Sequence, residues 1–168
     1  MSRTAKRCCV LAIELRSQKM GYAVCEGNKA LLDWGVRSYA RDGDLALDRK
    51  LASIVGLFHP TVILLSQIGK GDHRNAELVG ALSQIVRKQA QSVSIPAESV
   101  SKVSVKIHFA QGGYRNKHDI SLAVVNRFPE LAWRLPKKRK PWQSEPASQI
   151  VFDAVALALL HFETNAEH

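Results

Sequence analysis

The chain has 168 residues, about the length of one domain, with 46% apolar residues and 24 Lys and Arg against 15 Asp and Glu, a formal charge of +9. The apolar share supports a packed core and argues against disorder. The charge favours a polyanionic partner, nucleic acid first and an anionic membrane second. Cys8, Cys9 and Cys25 have no downstream CxxC or CxxH to join, so they read as buried free thiols in a reducing compartment, not as zinc ligands. Arg3, Lys6 and Arg7 precede an apolar run at Cys8–Ile13, but Glu14 interrupts that run. It is too short for a secretory leader or for the roughly 18 apolar residues of a membrane span. A cytoplasmic protein with no membrane partner is expected.

Cys8–Ile13 suits a strand buried on both faces, and a polar turn from Arg16 to Lys19 leads to a second strand, Met20–Cys25. Gly27 and Asn28 mark the next turn, and Leu31–Tyr39 alternates as a third strand, completing an antiparallel meander. From Asp44 to Phe58 the period becomes helical, through Leu45, Leu47, Leu51, Ile54, Val55 and Phe58, and Pro60 stops it. Thr61–Leu65 is a fourth, continuous apolar strand. A polar loop at 69–75 precedes a helix over 76–92 with Leu78, Val79, Leu82, Ile85 and Val86 on one face. Val93–Ile95 reads as a short fifth strand before Pro96, and Val103–Phe109 as part of a lysine-bearing connection closed by Gly112 and Gly113. Asn116 is a candidate N-cap for a helix carrying Ile120, Leu122, Val124, Val125 and Phe128, ended by Pro129. A long basic, proline-containing connection from Leu131 to Pro146 follows, and then a last apolar helix from about Pro146 to Phe162. The order βββ-α-β-α-β-α-α predicts one mixed α/β domain over 1–168, a sheet with helices on both faces, fraying near 1–6 and 163–168.

Three segments carry a family resemblance. The first runs from Ala12-Ile13-Glu14 through the turn Leu15–Lys19 into Met20-Gly21-Tyr22-Ala23-Val24. The second is Val105-Lys106 with Asn116-Lys117 eleven residues beyond that lysine. The third is Phe152-Asp153-Ala154-Val155 continuing to Leu160-His161. In order and spacing these resemble the RuvC family of Holliday-junction resolvases. That resemblance implies an RNase H-like fold with a mixed five-stranded sheet, a homodimer, and a Mg²⁺- or Mn²⁺-dependent endonuclease acting on branched DNA. It also implies roles: Glu14 and Asp153 as catalytic metal ligands, and Lys106 and Lys117 as the basic residues that serve the scissile phosphate.

The departures matter as much as the matches. An RNase H-like nuclease gathers about four carboxylates around two Mg²⁺ ions, hard cations that select oxygen ligands. Glu14 stands where the family usually has Asp. After the fourth strand the chain offers Ser66 and Gln67 in place of a Glu, and Ile150 sits one helical turn before Asp153. Glu145 could curl back as a third metal ligand, and Asp72 and Glu77 are the remaining nearby acids. Either Glu14 or Asp153 could instead be structural, Glu14 as a solvated turn residue and Asp153 as an ion-pair or hydrogen-bond partner. The basic residues survive better. Lys106, Arg115 and Lys117, with Lys137, Lys138, Arg139 and Lys140 beside Trp133 and Trp142, suit phosphate contacts and stacking on an unpaired base, with Lys102 extending the patch. A solvated charged loop is the bland alternative. His118 is a candidate proton shuttle and a plain surface histidine is its alternative; His73 and His108 have weaker claims.

The expectation is therefore a RuvC-like binder of branched or distorted DNA with weak or lost cleavage. The alternatives are an active two-metal endonuclease with a rearranged carboxylate site, or a scaffold for protein contacts on the same fold.

Overall fold

A computed structural model describes residues 8–39, 43–67 and 76–166, without the side chains of 43–45 and 166. The opening apolar run forms β1 (Cys9–Leu15), buried along its whole length. It pairs antiparallel with β2 (Lys19–Glu26), which pairs antiparallel with β3 (Ala30–Ser38). Gly27, at φ +62°, makes the β2–β3 turn in a left-handed conformation that glycine adopts without strain. α1 (Gly43–Phe58) then crosses to β4 (Val62–Ser66), parallel to β1, and α2 (Ala76–Ser92) crosses to β5 (Ala97–Val100), parallel to β4. The sheet order is β3-β2-β1-β4-β5. α3 (Lys102–Gln111), α4 (Lys117–Arg127), a 3₁₀ turn (Pro129–Arg134) and α5 (Gln149–Ala166) complete the described fold.

The two faces of the sheet follow from the period of two along each strand. Val10 and Ala12, with Ala23, Cys25, Val62 and Leu64, pack against α5 and against Phe109 of α3 and Val124 of α4. Leu11 and Ile13, with Met20, Tyr22, Val24, Ile63 and Leu65, pack against α1 and α2 through Leu47, Leu51, Leu82 and Val86. Burying each of these aliphatic side chains contributes about 1.5–3 kcal/mol. The central strands are covered on both sides and so read as continuous apolar runs. This is the mixed five-stranded sheet with helices on both faces that the sequence predicts.

Several local expectations need correction. The fifth strand is 97–100, beyond Pro96 and not before it. Ser94, at φ +58°, turns the chain between α2 and that strand. Residues 102–111 form a helix whose N-cap, Ser101, accepts a hydrogen bond from the Val103 amide at 3.2 Å. Its apolar residues Val103, Val105, Ile107 and Phe109 fall at every second position, which hid the helical period. The last helix starts at Gln149, three residues later than expected, and continues through Ala166. Residues 163–166 are part of that helix, and Glu163 is tied to His108 of α3. Cys9 and Cys25 are buried as expected, but Cys8 is exposed just before β1. The loop at 69–75, with Asp72 and His73, the N-terminal residues 1–7, and the side chains of Asp44 and Leu45 lie outside the described residues.

Candidate nucleic-acid site

Glu14 occupies the next-to-last position of β1, on the α5 face, and is buried at 3% exposure. Its cross-strand partner in β2 is Gly21, and Ile13 is in register with Leu65 of β4. Glu14 and Ser66 thus emerge on one face, at the carboxyl ends of two parallel strands, where open α/β sheets commonly bind ligands. Gly21 has no side chain to hold α5 away. A Cβ there would lie 2.6 Å from the Ile150 carbonyl oxygen, so the start of α5 rests directly on β2. That approach brings Asp153, on the first turns of α5, beside the end of β1.

Arg16 sits two residues after Glu14, beyond the end of β1. Its guanidinium is bonded to the Glu14 carboxylate, to Asp153 Oδ2 at 2.9 Å and to Glu145 Oε1 at 3.2 Å. Lys117, first residue of α4, binds Glu145 Oε2 at 2.9 Å and lies 3.5 Å from Asp153 Oδ2. Lys102, first residue of α3, is 3.6 Å from Glu14 Oε1. Gln149 completes the cluster, donating to Asp153 Oδ1 at 3.1 Å and to Ser121 Oγ at 3.2 Å. Three carboxylates are therefore answered by three of the chain's own cations. Burial would lower the Arg16 pKa, but Glu14 above all, then Asp153 and Glu145, hold it above its ordinary value. Glu145 is pushed up by burial, yet Lys117 and Arg16 outweigh this and its pKa falls below the usual carboxylate value. For Asp153 burial wins, and its pKa is raised although Lys117 and Arg16 pull the other way.

Above this cluster opens a cleft of about 560 Å³. Glu14, Ser66 and Asp153 meet Lys102, Lys106, Arg115 and Lys117 along its walls. Asn116 caps α4 there, its side chain accepting from the Asp119 amide at 2.9 Å while Asp119 accepts from the Arg115 amide at 3.2 Å. Among the described residues, Lys106 and Arg115 lie in the cleft wall with no side-chain ion pair. Ser66 Oγ is buried without a hydrogen-bond partner.

The structure thus unites Glu14, Asp153, Glu145, Lys106, Arg115, Lys117 and Lys102 of the residues singled out from sequence. The reading of Glu14 as a solvated turn residue is overturned by its burial and ion pairs. His118 does not line the cleft, and His108 is engaged with Glu163 on the far side of α3. The basic connection is anchored at one end by Leu135, packed on the core, and at the other by Glu145 in the cluster. Lys137, Lys138, Arg139 and Lys140 are on or near its exposed surface, with Lys140 Nζ 5.4 Å from the centre of the Trp142 ring. Trp133 is exposed but not solitary, since Arg134 lies over both its ring and that of Trp34. Arg16 was read from sequence only as part of a polar turn. The available signal was its place two residues from Glu14, which puts the two side chains on one side of an extended chain.

A three-strand meander followed by two parallel crossovers, in the sheet order β3-β2-β1-β4-β5, is the RNase H-like fold of the RuvC-type junction resolvases. Solved structures bear this out. Thermus thermophilus RuvC superposes with a TM-score of 0.73 at 19% identity over 95% of this chain and 96% of that one. Thermus thermophilus RuvC in complex with a Holliday junction substrate gives 0.72 at 18% identity over 94% and 96%. The yeast mitochondrial Holliday junction resolvase gives 0.67 at 14% identity, over 96% of this chain and 81% of that one. No protein-family model matches the chain, and none of the curated proteins matches it in sequence.

The donor set does not fit the two-metal centre that the fold suggests. Mg²⁺ demands near-octahedral oxygen coordination, whereas Glu14 Oε1, both Glu145 oxygens and Asp153 Oδ2 face Arg16, Lys102 or Lys117. The position after the apolar run of β4 is the neutral Ser66. Among the described residues no group of three or more His, Cys, Asp or Glu is arranged to hold a metal ion.

Proposed function

We propose that this protein binds branched or distorted DNA in the manner of a structure-selective, Holliday-junction endonuclease, and that its Mg²⁺-dependent cleavage is lost or weak. The observation that carries this reading is the Arg16 bridge: a guanidinium fixed among Glu14, Glu145 and Asp153, where cleavage chemistry would need open carboxylate oxygens. The phosphate-facing side is intact. Lys106 and Arg115 stand in the cleft wall, and the basic connection 137–140 with Trp142 supplies further cations and an exposed ring. Cations of this kind hold the backbone, and selectivity comes from the shape of the junction.

A homodimer in the cytoplasm completes the proposal, since two clefts related by a two-fold axis suit a two-fold junction. No helix among the described residues is long and apolar enough to cross a membrane. One observation favours a working nuclease instead, namely that Glu145 does fold back to make a third carboxylate. The test is binding and cleavage of a labelled four-way junction and a linear duplex with Mg²⁺ or Mn²⁺, beside a Glu14→Gln/Asp153→Asn variant. Junction-selective binding without cleavage is expected. Metal-dependent cleavage abolished in the variant would establish the rearranged nuclease. Equal, purely salt-driven binding to junction and duplex would favour the scaffold.

A further inference from the structure

We infer that the cleft is a phosphodiester-binding site that needs no divalent cation, because Arg16 is the resident counter-ion of its acidic floor. The inference rests on reading the cleft as the nucleic-acid site, and it assigns Arg16 a positioning role that acts through the carboxylates.

Three carboxylates at the end of a cleft would ordinarily repel a phosphate, and a bound cation would have to reverse that field. Here the reversal is covalently built in. Arg16 joins Glu14 of β1, Glu145 of the basic connection and Asp153 of α5, using a planar fork suited to bridging carboxylates. Lys102 and Lys117 occupy two of the remaining approaches, on Glu14 and on Glu145 and Asp153. The floor then carries as many positive as negative groups. Against that neutral floor, Lys106 and Arg115 line the cleft with no ion pair of their own among the described residues. Ser66 contributes a buried hydroxyl without a partner, able to donate to an anionic oxygen where a carboxylate could not. Among the described residues, the groups left free in the cleft are thus two cations and a donor, a set that recognises a phosphodiester.

Removing Arg16 leaves the floor with a surplus negative charge and frees oxygens from three separate elements. The same residues then become a site that attracts a divalent cation and accepts phosphate only when one is present. The experiment compares wild type, Arg16→Gln and Arg16→Lys, all checked for native circular dichroism. Binding of a labelled four-way junction is measured in EDTA and in Mg²⁺ at matched ionic strength, and Mn²⁺ binding without DNA is followed by electron paramagnetic resonance. Wild type is expected to bind the junction within about twofold in the two buffers and to bind no Mn²⁺ at the cluster. Arg16→Gln is expected to lose tenfold or more in EDTA, to recover with Mg²⁺ and to gain Mn²⁺ binding, while Arg16→Lys stays closer to wild type. Wild-type binding that requires a divalent cation would overturn the proposal, as would an Arg16→Gln protein that binds in EDTA like wild type. If Arg16→Gln does not fold, Lys106→Gln/Arg115→Gln decides the matter. It should weaken junction binding equally in EDTA and Mg²⁺ and reduce the salt slope by about two, and an unchanged slope refutes the site. If wild type binds no DNA at all, the functional reading fails; the Mn²⁺ comparison still decides the role of Arg16.

Discussion

Gly21→Ala tests how the site is assembled. Gly21 faces Glu14 across the β1–β2 ladder, and its missing side chain is the space in which α5 meets the sheet. An added methyl would sit 2.6 Å from Ile150 Cγ1, 2.6 Å from the Ile150 carbonyl oxygen and 2.8 Å from its carbonyl carbon. The isoleucine side chain can turn away, but the carbonyl belongs to the start of α5 and can move only with the helix. Restoring ordinary contact requires roughly 1 Å of displacement in a close-packed core. Overpacking of this kind costs about 1–3 kcal/mol. Taking about 2 kcal/mol and a shift of about 2–4 °C per kcal/mol for a chain of this size gives a Tm lower by about 4–8 °C. The same displacement carries Asp153 away from Arg16, so the 2.9 Å contact between them should open beyond hydrogen-bond range. Thermal unfolding followed by circular dichroism measures the effect. The control is Gly80→Ala in α2, where a Cβ meets nothing within 4 Å; it should be stabilising by up to about 1 kcal/mol, because alanine favours a helix interior. A Gly21→Ala protein melting within about 1 °C of wild type would refute the argument that this contact seats α5.

The pKa of Glu145 is lowered in the folded chain, so its stabilisation is fully present above the ordinary carboxylate value and is lost as pH falls through the folded value. Glu145→Gln should therefore cost about 1 kcal/mol at neutral pH, the modest size expected of a partly exposed pair. Urea titrations of the two proteins should converge in acid, and a constant gap down to acid pH would count against the ion pairs. Burial pushes the Cys25 thiol up to about 12 and raises Cys9, whereas Cys8 is exposed. Iodoacetamide on the native protein should thus label Cys8 alone by peptide mapping, and labelling of Cys25 at a comparable rate would mean that β2 opens. Replacing Lys137, Lys138, Arg139 and Lys140 by alanine should reduce the salt slope of DNA binding by about 0.9 for each phosphate that is no longer neutralised. Trp142→Ala should instead weaken binding by about 1–3 kcal/mol at unchanged slope if the ring stacks on a base. An unaltered affinity in both variants would make the connection a solvated loop.

Much of the fold was legible because it depends on patterns that survive without tertiary context. Within the runs Cys8–Ile13 and Thr61–Leu65, the residues Cys9–Ile13 and Val62–Leu65 are buried on both faces of the sheet, which is why they read as continuous apolar stretches. Asn116 was legible as a cap because its side chain does purely local work on the Asp119 amide. The failures have physical causes of the same kind. α3 carries its apolar residues at strand spacing, and Val103 and Ile107 remain exposed, so no buried stripe marks it as a helix. The fifth strand was displaced because the apolar residues Val93 and Ile95 lie in the turn, while the strand itself includes the polar Glu98 and Ser99.

The acidic residues of the site were legible one at a time, but their electrostatic meaning was not. Counting carboxylates along the chain finds Glu14, Glu145 and Asp153 and leaves their number short of a two-metal centre. It cannot reveal that a turn arginine points back onto all three. That direction is set by Gly21, which lets α5 bring Asp153 to the end of β1, and by the return of the connection that brings Glu145. Once both have arrived, three carboxylates in a half-buried setting need positive charge from somewhere. In this chain the charge comes from Arg16, Lys102 and Lys117. Ser66 and Ile150 bring no charge to the cluster, so its three carboxylates are balanced by Arg16, Lys102 and Lys117. Placing a carboxylate at position 66 while Arg16 remains would add an oxygen donor to a cluster in which Glu14 Oε1, both Glu145 oxygens and Asp153 Oδ2 stay paired with cations. On this argument Ser66→Glu alone should leave the protein unable to bind Mn²⁺, whereas Ser66→Glu with Arg16→Gln should bind it more tightly than Arg16→Gln does. Mn²⁺ binding by the single Ser66→Glu variant would show that Arg16 yields readily and is no fixed counter-ion.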